Sequence, residues 1–203
     1  MKASHFDITN KGTNVAVNKW EKNKFKTCLT YIRNDMSILD IGCSTCSFFN
    51  YLQENKINIK GVGFDTDKKA LEIANAKGCD VYDSLEKIND SFDVITMWEV
   101  IEHLQLEDFL LYLDYIKKHL KMDGKLIIST PNILNPFYPF WAEPTHIRPY
   151  SLMSLSRILE SKGFKIVYRR KTHPLKHPVK ILFCLLTSQT FYAKLTIVAE
   201  LQK

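Results

Sequence analysis

The sequence predicts an α/β protein built on a doubly wound parallel sheet with helices on both faces. Three observations support this prediction. Short apolar runs alternate with helix-like apolar spacing from residue 38 to about residue 129. The first run ends at Gly42 before a hydroxyl-rich turn, and the second ends at Asp65. Because the carboxyl ends of parallel strands meet at one edge of the sheet, we expect ligand-binding residues after these strands.

The elements follow in order from this alternation. Strands are predicted at 38–41, 59–64, 79–82, 92–97, 125–129, 164–168 and 193–201. The first helix is expected at about 47–55, and the second between Thr66 or Asp67 and Gly78. A third carries the apolar stripe of 109–120, and a fourth the leucines of 152–159.

Composition indicates one globular domain spanning 1–203. The chain is 45% hydrophobic and 25% charged, which excludes wholesale disorder. No window approaches the run of about 20 apolar residues that a membrane-spanning helix needs. The first residues lack a secretory apolar region. We therefore expect a cytoplasmic protein without a transmembrane segment.

The cysteines and the net charge exclude few classes of function. The five cysteines are odd in number and irregularly spaced, so a disulfide framework is not expected. Cys43 and Cys46 form a Cys-x-x-Cys pair after a strand, where a thioredoxin-like redox motif is the weaker interpretation. The net charge of +6 suits an anionic substrate, nucleic acid or acidic lipid, although a solvated lysine-rich surface explains it more simply.

Three segments lie outside the strand–helix alternation. Residues 1–37 carry apolar side chains at helical spacing and predict a helical cover over the ligand edge. Residues 133–150 are rich in proline and aromatic residues and too long for a simple connector, so we expect a substrate lid. Residues 170–192 form a basic and apolar insert. A packed helix with a solvated basic flank is favoured there over a membrane-surface site.

The stretch 38–46, Ile-Leu-Asp-Ile-Gly-Cys-Ser-Thr-Cys, resembles motif I of the class I S-adenosylmethionine-dependent methyltransferases, which usually reads Leu-Asp-Ile-Gly-Cys-Gly-Thr-Gly. It departs at Ser44 and Cys46, where the family has glycine. The resemblance covers about 36–201. It implies a Rossmann-like seven-stranded sheet with a C-terminal antiparallel hairpin, S-adenosyl-L-methionine as cofactor and S-adenosyl-L-homocysteine as product.

The resemblance also implies which residues contact the cofactor. An acidic residue some 20 positions after the glycine turn, as at Asp65, suits ribose hydroxyls, although a dinucleotide enzyme would also have one. Met97 and Trp98 match the apolar lining of the methionine end, with ordinary core packing as an equal alternative. The full cofactor set is Asp40, Gly42, Cys43, Asp65, Thr66, Asp83, Ser84, Met97 and Trp98.

The segment Glu99-Val-Ile-Glu102-His103 is the candidate for chemistry. In a helix starting at Glu99, these three polar residues would share one face. The pattern resembles the quinone-biosynthesis O-methyltransferases. It also resembles the metal-binding element of RNA 3′-terminal ribose 2′-O-methyltransferases, where a later histidine, here His146, completes the site.

Three interpretations of this cluster remain open. His103 or His146 is a general base oriented by the glutamates, with Glu99 in the catalytic set. Alternatively, Glu99, Glu102, His103 and His146 hold a divalent metal ion, Mg²⁺, Mn²⁺ or Zn²⁺, that lowers the pKa of a substrate hydroxyl. In the third, the carboxylates only stabilise a helix N-terminus.

The predicted function is methyl transfer to a hydroxyl, with an amine as the second choice, of a small metabolite or a sugar-linked or anionic molecule. One alternative is a metal-assisted RNA ribose 2′-O-methyltransferase. The sequence shows no evident RNA-binding accessory domain, and its basic residues are dispersed, so nucleic acid is the less favoured partner. The other alternative is a non-catalytic binding protein, whose cofactor site would be degenerate because of Ser44 and Cys46.

Overall fold

The computed structural model describes residues 17, 19–135, 140–172 and 194–202. It contains a seven-stranded sheet in the order β3-β2-β1-β4-β5-β7-β6. The strands are β1 Ser37–Ile41, β2 Lys60–Phe64, β3 Asp80–Tyr82, β4 Phe92–Trp98, β5 Leu120–Pro131, β6 Phe164–Thr172 and β7 Lys194–Leu201. The first five strands pair in parallel, whereas β7 runs antiparallel to both β5 and β6. The predicted Rossmann-like sheet and its antiparallel hairpin are confirmed.

Five α-helices lie within the described residues. They are α1 Lys19–Phe25, α2 Ser47–Glu54, α3 Lys68–Ala76, α4 Leu106–His119 and α5 Leu152–Ser161. Short 3₁₀ helices occupy Lys26–Thr30, Leu85–Lys87, Ile101–His103 and Phe140–Ala142. The predicted start of α3 is confirmed, because the Asp67 carboxylate accepts hydrogen bonds from Lys69 N and Ala70 N at 3.0 and 3.2 Å.

Apolar side chains cover both faces of the sheet. On one face, α4 and α5 pack in a cluster that includes Leu39. On the other, α1 and α2 pack in a cluster that includes the neighbouring Ile38. Adjacent residues of β1 therefore point into opposite cores, as expected for a strand covered on both sides. Each fully buried aliphatic side chain contributes roughly 1.5–3 kcal/mol.

Strand β5 differs from the prediction at its beginning. We expected a helix through Leu120, a turn closed by Gly124 and a strand from Lys125. Instead α4 ends at His119 and β5 begins at Leu120, with the pairing to β4 shifted between Phe92 and Val94. Leu120 is only 5% exposed and still packs in the core. Its apolar side chain therefore fits the helical pattern although its backbone is extended.

Some predictions fall outside the described ranges. These are most of the N-terminal cover (1–16), the centre of the lid (136–139) and most of the insert (173–193). In the part of the chain that the structure covers, no helix is both long and apolar enough to cross a bilayer.

Candidate active site

The turn after β1, residues 42–46, forms a loop that is fastened to β2. We call it the cofactor loop, after its predicted role. Gly42 N and Cys43 N both donate to the carbonyl of Phe64, at 2.7 and 3.0 Å. Gly42 has a φ of +79°, and a Cβ there would overlap the side chain of Val100. The position therefore requires glycine for its conformation and for its close packing.

Ser44 and Cys46, which stand where the family pattern has glycine, both have left-handed backbone conformations. Their φ angles are +47° and +62°. A left-handed conformation costs a non-glycine residue roughly 1–2 kcal/mol. The loop therefore needs contacts elsewhere that offset this cost.

Asp65, predicted to bind ribose, also supports the cofactor loop. Its Oδ2 accepts from Ser44 N at 2.8 Å, and its Oδ1 accepts from Asp67 N at 2.9 Å. An ionised carboxylate has about four lone-pair positions, so acceptor capacity remains for ligand hydroxyls. Asp65 is partly exposed at the end of β2, which leaves it accessible.

Asp40 is a buried carboxyl beneath the loop. Thr96 Oγ1 donates to its Oδ1 at 2.6 Å. Burial raises the pKa of Asp40 to about 7, with the Thr96 hydrogen bond and the Lys24 ammonium acting in the opposite direction. Lys24 lies on α1, where the neighbouring Phe25 packs against Trp98 with ring centroids 5.1 Å apart. Helix α1 therefore packs at this edge of the sheet and brings a lysine to it, while its role as a cover over the cofactor stays a prediction.

Glu99 does not begin a helix, and the prediction of a shared helical face is wrong. Its φ is +58°, and only the 3₁₀ turn Ile101–His103 follows before α4. Glu99 N donates to the Ser129 carbonyl at 3.0 Å, which fixes the chain reversal after β4. Glu99 precedes the 3₁₀ turn Ile101–His103, and Glu102 lies in its first turn. The structural interpretation, in which both carboxylates stabilise a helix N-terminus, therefore fails for Glu99 and stays open for Glu102.

The Glu99 carboxylate is held by β5 and β7. It accepts a hydrogen bond from Ser129 Oγ at 2.6 Å and forms an ion pair with Lys194. Burial alone would raise the pKa of Glu99, but the ammonium groups of Lys194 and Lys24 and these hydrogen bonds outweigh it and lower the pKa. Glu99 is thus a partly buried anion whose charge these partners compensate.

Glu102, His103 and His146 come together on the other side of this turn. One potential ligand atom from each lies within 4.8 Å of the others, and the two imidazole centroids are 4.9 Å apart. The backbone carbonyl of Glu102 accepts from Ile147 N and Arg148 N at 2.9 and 3.1 Å. This pairing brings the lid segment, and with it His146, to the end of β4.

Glu102 is fully buried and only partly satisfied. Its Oε2 accepts from Thr130 Oγ1 at 2.9 Å, and its Oε1 has no hydrogen-bond partner among the described residues. Burial and the nearby charge of Glu99 raise the pKa of Glu102 to about 8. A cation or a donor placed at Oε1 would therefore be favourable.

Both histidines are oriented by carbonyl groups. Nδ1 of His103 lies 3.0 Å from the carbonyl of Thr145, and Nδ1 of His146 lies 2.8 Å from that of Phe140. Because a carbonyl can only accept, the neutral rings carry their proton on Nδ1 and leave Nε2 as the basic atom. The set of one carboxylate and two imidazoles can accept a proton or bind a divalent metal such as Zn²⁺ or Mn²⁺.

The profile of a protein family described as "Methyltransferase domain" matches residues 18–169 of the chain. The chain belongs to this methyltransferase family. It is a class I S-adenosylmethionine-dependent methyltransferase. A comparison with curated protein sequences found no match.

Solved structures resemble the methyltransferase over nearly its whole length. An S-adenosylmethionine-dependent methyltransferase from Archaeoglobus fulgidus is 20% identical with a TM-score of 0.72, covering 90% of this chain and 93% of that one. One from Clostridium acetobutylicum is 15% identical, with a TM-score of 0.65 and 94% of both chains covered. The mycolic acid cyclopropane synthase CmaA1, solved with SAH and CTAB, is 15% identical, with a TM-score of 0.69 and 89% and 84% covered. At these identities the likeness shows the fold alone.

Other predicted cofactor residues of the methyltransferase have local structural roles. Met97 is fully buried in the core, and Trp98 is 5% exposed, with no partner for its Nε1 among the described residues. Asp83 pairs with Lys87 at 2.6 Å, and Ser84 caps the following 3₁₀ turn through Glu86 N. Thr66 is exposed beside Asp65. Their contact with the cofactor stays a prediction.

The sequence analysis missed the two lysines that face Glu99. Lys24 precedes a core phenylalanine on a short helix, and Lys194 begins the last described strand. Neither belongs to a motif, and both meet Glu99 only through tertiary structure. The hydroxyl partners Ser129 and Thr130 had no predicted role either.

Proposed function

We propose that this methyltransferase transfers a methyl group to a hydroxyl of a small metabolite or sugar-linked acceptor, with His103 or His146 as the general base. One observation carries the proposal: two oriented imidazoles lie beside the buried Glu102, whose Oε1 is unpartnered among the described residues. A base here could take the proton of an acceptor hydroxyl as its oxygen attacks. An imidazolium beside Glu102 would favour the ionised form of this carboxyl, which would in turn stabilise the imidazolium.

The residues that would hold the cofactor fit its chemistry. The bound cofactor supplies a methyl group on a positively charged sulfur. The cofactor loop follows β1 at the carboxyl edge of the parallel strands, and Asp65 has acceptor capacity for ribose hydroxyls. Lys24 is a cation among Glu99 and Asp40, a pattern suited to the carboxylate and amine of an amino-acid group. Holding donor and acceptor in line supplies much of the rate.

Cofactor binding is tested by thermal and urea unfolding with S-adenosylhomocysteine. At a ligand concentration of 100 times Kd, the free energy of unfolding should rise by about 2.7 kcal/mol. No change at millimolar ligand would rule out the proposal. Turnover is then measured against panels of hydroxylated and amino acceptors, and methylation of amines alone would refute the choice of a hydroxyl.

A metal-assisted reaction is the second candidate, favoured by the convergence of Glu102, His103 and His146 within 4.8 Å. A bound divalent ion would lower the pKa of the acceptor hydroxyl. Glu99 is the member of the predicted ligand set that is engaged elsewhere, with Lys194 and Ser129. Metal analysis after dialysis, and turnover after exhaustive chelation, separate the candidates: full activity without metal leaves the general base.

An RNA ribose 2′-hydroxyl is a possible acceptor in the metal-assisted case. Binding to a single-stranded RNA end should then weaken steeply as salt increases. Weak, salt-insensitive binding would leave the small-molecule acceptor.

A further inference from the structure

We propose that Lys77 is a positioning residue for the cofactor loop. Its ammonium donates a hydrogen bond to the carbonyl of Thr45 at 2.8 Å, across 32 positions of the sequence. The inference rests on the proposed role of this loop in binding the cofactor. It concerns why the loop keeps its shape without two of the glycines of the family pattern.

Thr45 is the residue at which the loop most needs an anchor. It lies between Ser44 and Cys46, both of which have left-handed φ angles that are costly outside glycine. A contact that fixes the Thr45 carbonyl restrains the peptide that joins Thr45 to Cys46. On the other side, the Ser44 N–H is fixed by Asp65 at 2.8 Å. The loop is therefore held at an N–H and at a C=O by two charged side chains.

The position of Lys77 is itself determined by the same network. It is the C-cap residue of α3, and its backbone N donates to Ala74 O at 3.1 Å. The other end of α3 is capped by Asp67, whose N–H is bound by Asp65 at 2.9 Å. Asp65 thus contacts the loop directly and also orients the helix that carries the second anchor. Lys77 is partly buried, which favours a lasting hydrogen bond over an exposed, fluctuating one.

The first test is Lys77→Met, which keeps most of the aliphatic stem and removes the donor. Loss of a hydrogen bond to a charged group should weaken S-adenosylhomocysteine binding about tenfold by calorimetry. KM for S-adenosylmethionine should rise by the same factor while kcat at saturation is unchanged, because Lys77 acts on the loop and not on the reacting atoms. Lys68→Met, an exposed lysine on the same helix, is the matched control.

The second test distinguishes loop positioning from a general effect on folding. Ser44→Gly removes the cost of the left-handed conformation at a partly exposed position. We choose Ser44 and not Cys46 because the Cys46 side chain is fully buried, and its removal would leave a cavity. In the Ser44→Gly background, Lys77→Met should weaken binding by less than about threefold. Lys77→Arg keeps a cationic donor and should bind S-adenosylhomocysteine within about threefold of the wild type. It is the variant to measure if Lys77→Met does not fold.

Three results would overturn the inference: unchanged affinity in Lys77→Met, an equal loss in the two backgrounds, or a loss in Lys77→Arg as large as in Lys77→Met. Wild-type protein that does not bind S-adenosylhomocysteine would instead refute the proposed function. The two failures are therefore distinguishable.

Discussion

Replacing Glu102 with glutamine should change how the stability of the protein depends on pH. Burial and the charge of Glu99 raise the pKa of Glu102 from 4.5 to about 8, so the folded state holds a proton that the unfolded state has lost. Stability from this group is fully present below pH 4.5 and is lost as pH rises towards 8. The slope is at most about 1.4 kcal/mol per pH unit. Glu102→Gln is neutral at every pH and removes this slope.

The assay is urea unfolding of wild type and Glu102→Gln from pH 4.5 to 9, in the presence of a chelator. The difference in unfolding free energy should increasingly favour the variant between pH 5 and 8, and then level off. Glu107→Gln, at an exposed position of α4, is the control for replacing a carboxyl group with an amide. A difference that does not vary with pH would refute the buried, proton-holding carboxyl.

A separate series without chelator tests metal binding. Because metal binding needs the deprotonated form, added Zn²⁺ should stabilise wild type more than the variant if the three residues bind metal.

Three further predictions concern the ligand edge. Whichever of His103 and His146 is the general base, its replacement by alanine should lower kcat by at least about 100-fold. The same variant should bind S-adenosylhomocysteine within about threefold of wild type. Gly42→Ala should lower the unfolding free energy by at least about 1 kcal/mol and weaken S-adenosylhomocysteine binding. In urea unfolding, adding Val100→Ala should recover the stability lost to the overlap with Val100, but not the stability lost to the left-handed backbone. Lys24→Met should weaken S-adenosylmethionine binding about tenfold but leave decarboxylated S-adenosylmethionine unaffected; an equal loss for both would exclude a carboxylate contact.

Features encoded by neighbouring residues could be predicted from the sequence. The apolar run of β1 and the turn at Gly42 depend on local conformation, and the Asp67 cap depends on residues two and three positions away. His146 could be predicted only because its motif resembled a known pattern. The structure brings it beside His103, with ring centroids 4.9 Å apart.

Features that depend on distant contacts could not be predicted. Glu99 belongs to a pattern that reads as helical, but its ion pair with Lys194 spans 95 positions and its backbone bonds to Ser129. Because the pairing of β4 with β5 continues through Glu99 N to the Ser129 carbonyl, it outweighs the local helical preference. Lys77 likewise lies at the end of an ordinary surface helix, and only the tertiary fold shows that its ammonium reaches Thr45.

The place of β7 in the sheet has a consequence for the order of assembly during synthesis. β7 is the last described strand to leave the ribosome, yet it lies between β5 and β6, so β6 has no partner within the described sheet until β7 arrives. Lys194 arrives with it, and until then the Glu99 carboxylate lacks this countercharge. A nascent chain that stops before Lys194 would expose a strand edge and leave the Glu99 carboxylate without its ion-pair partner on β7. Chaperone binding and sensitivity to proteolysis should therefore fall sharply once β7 has been synthesised.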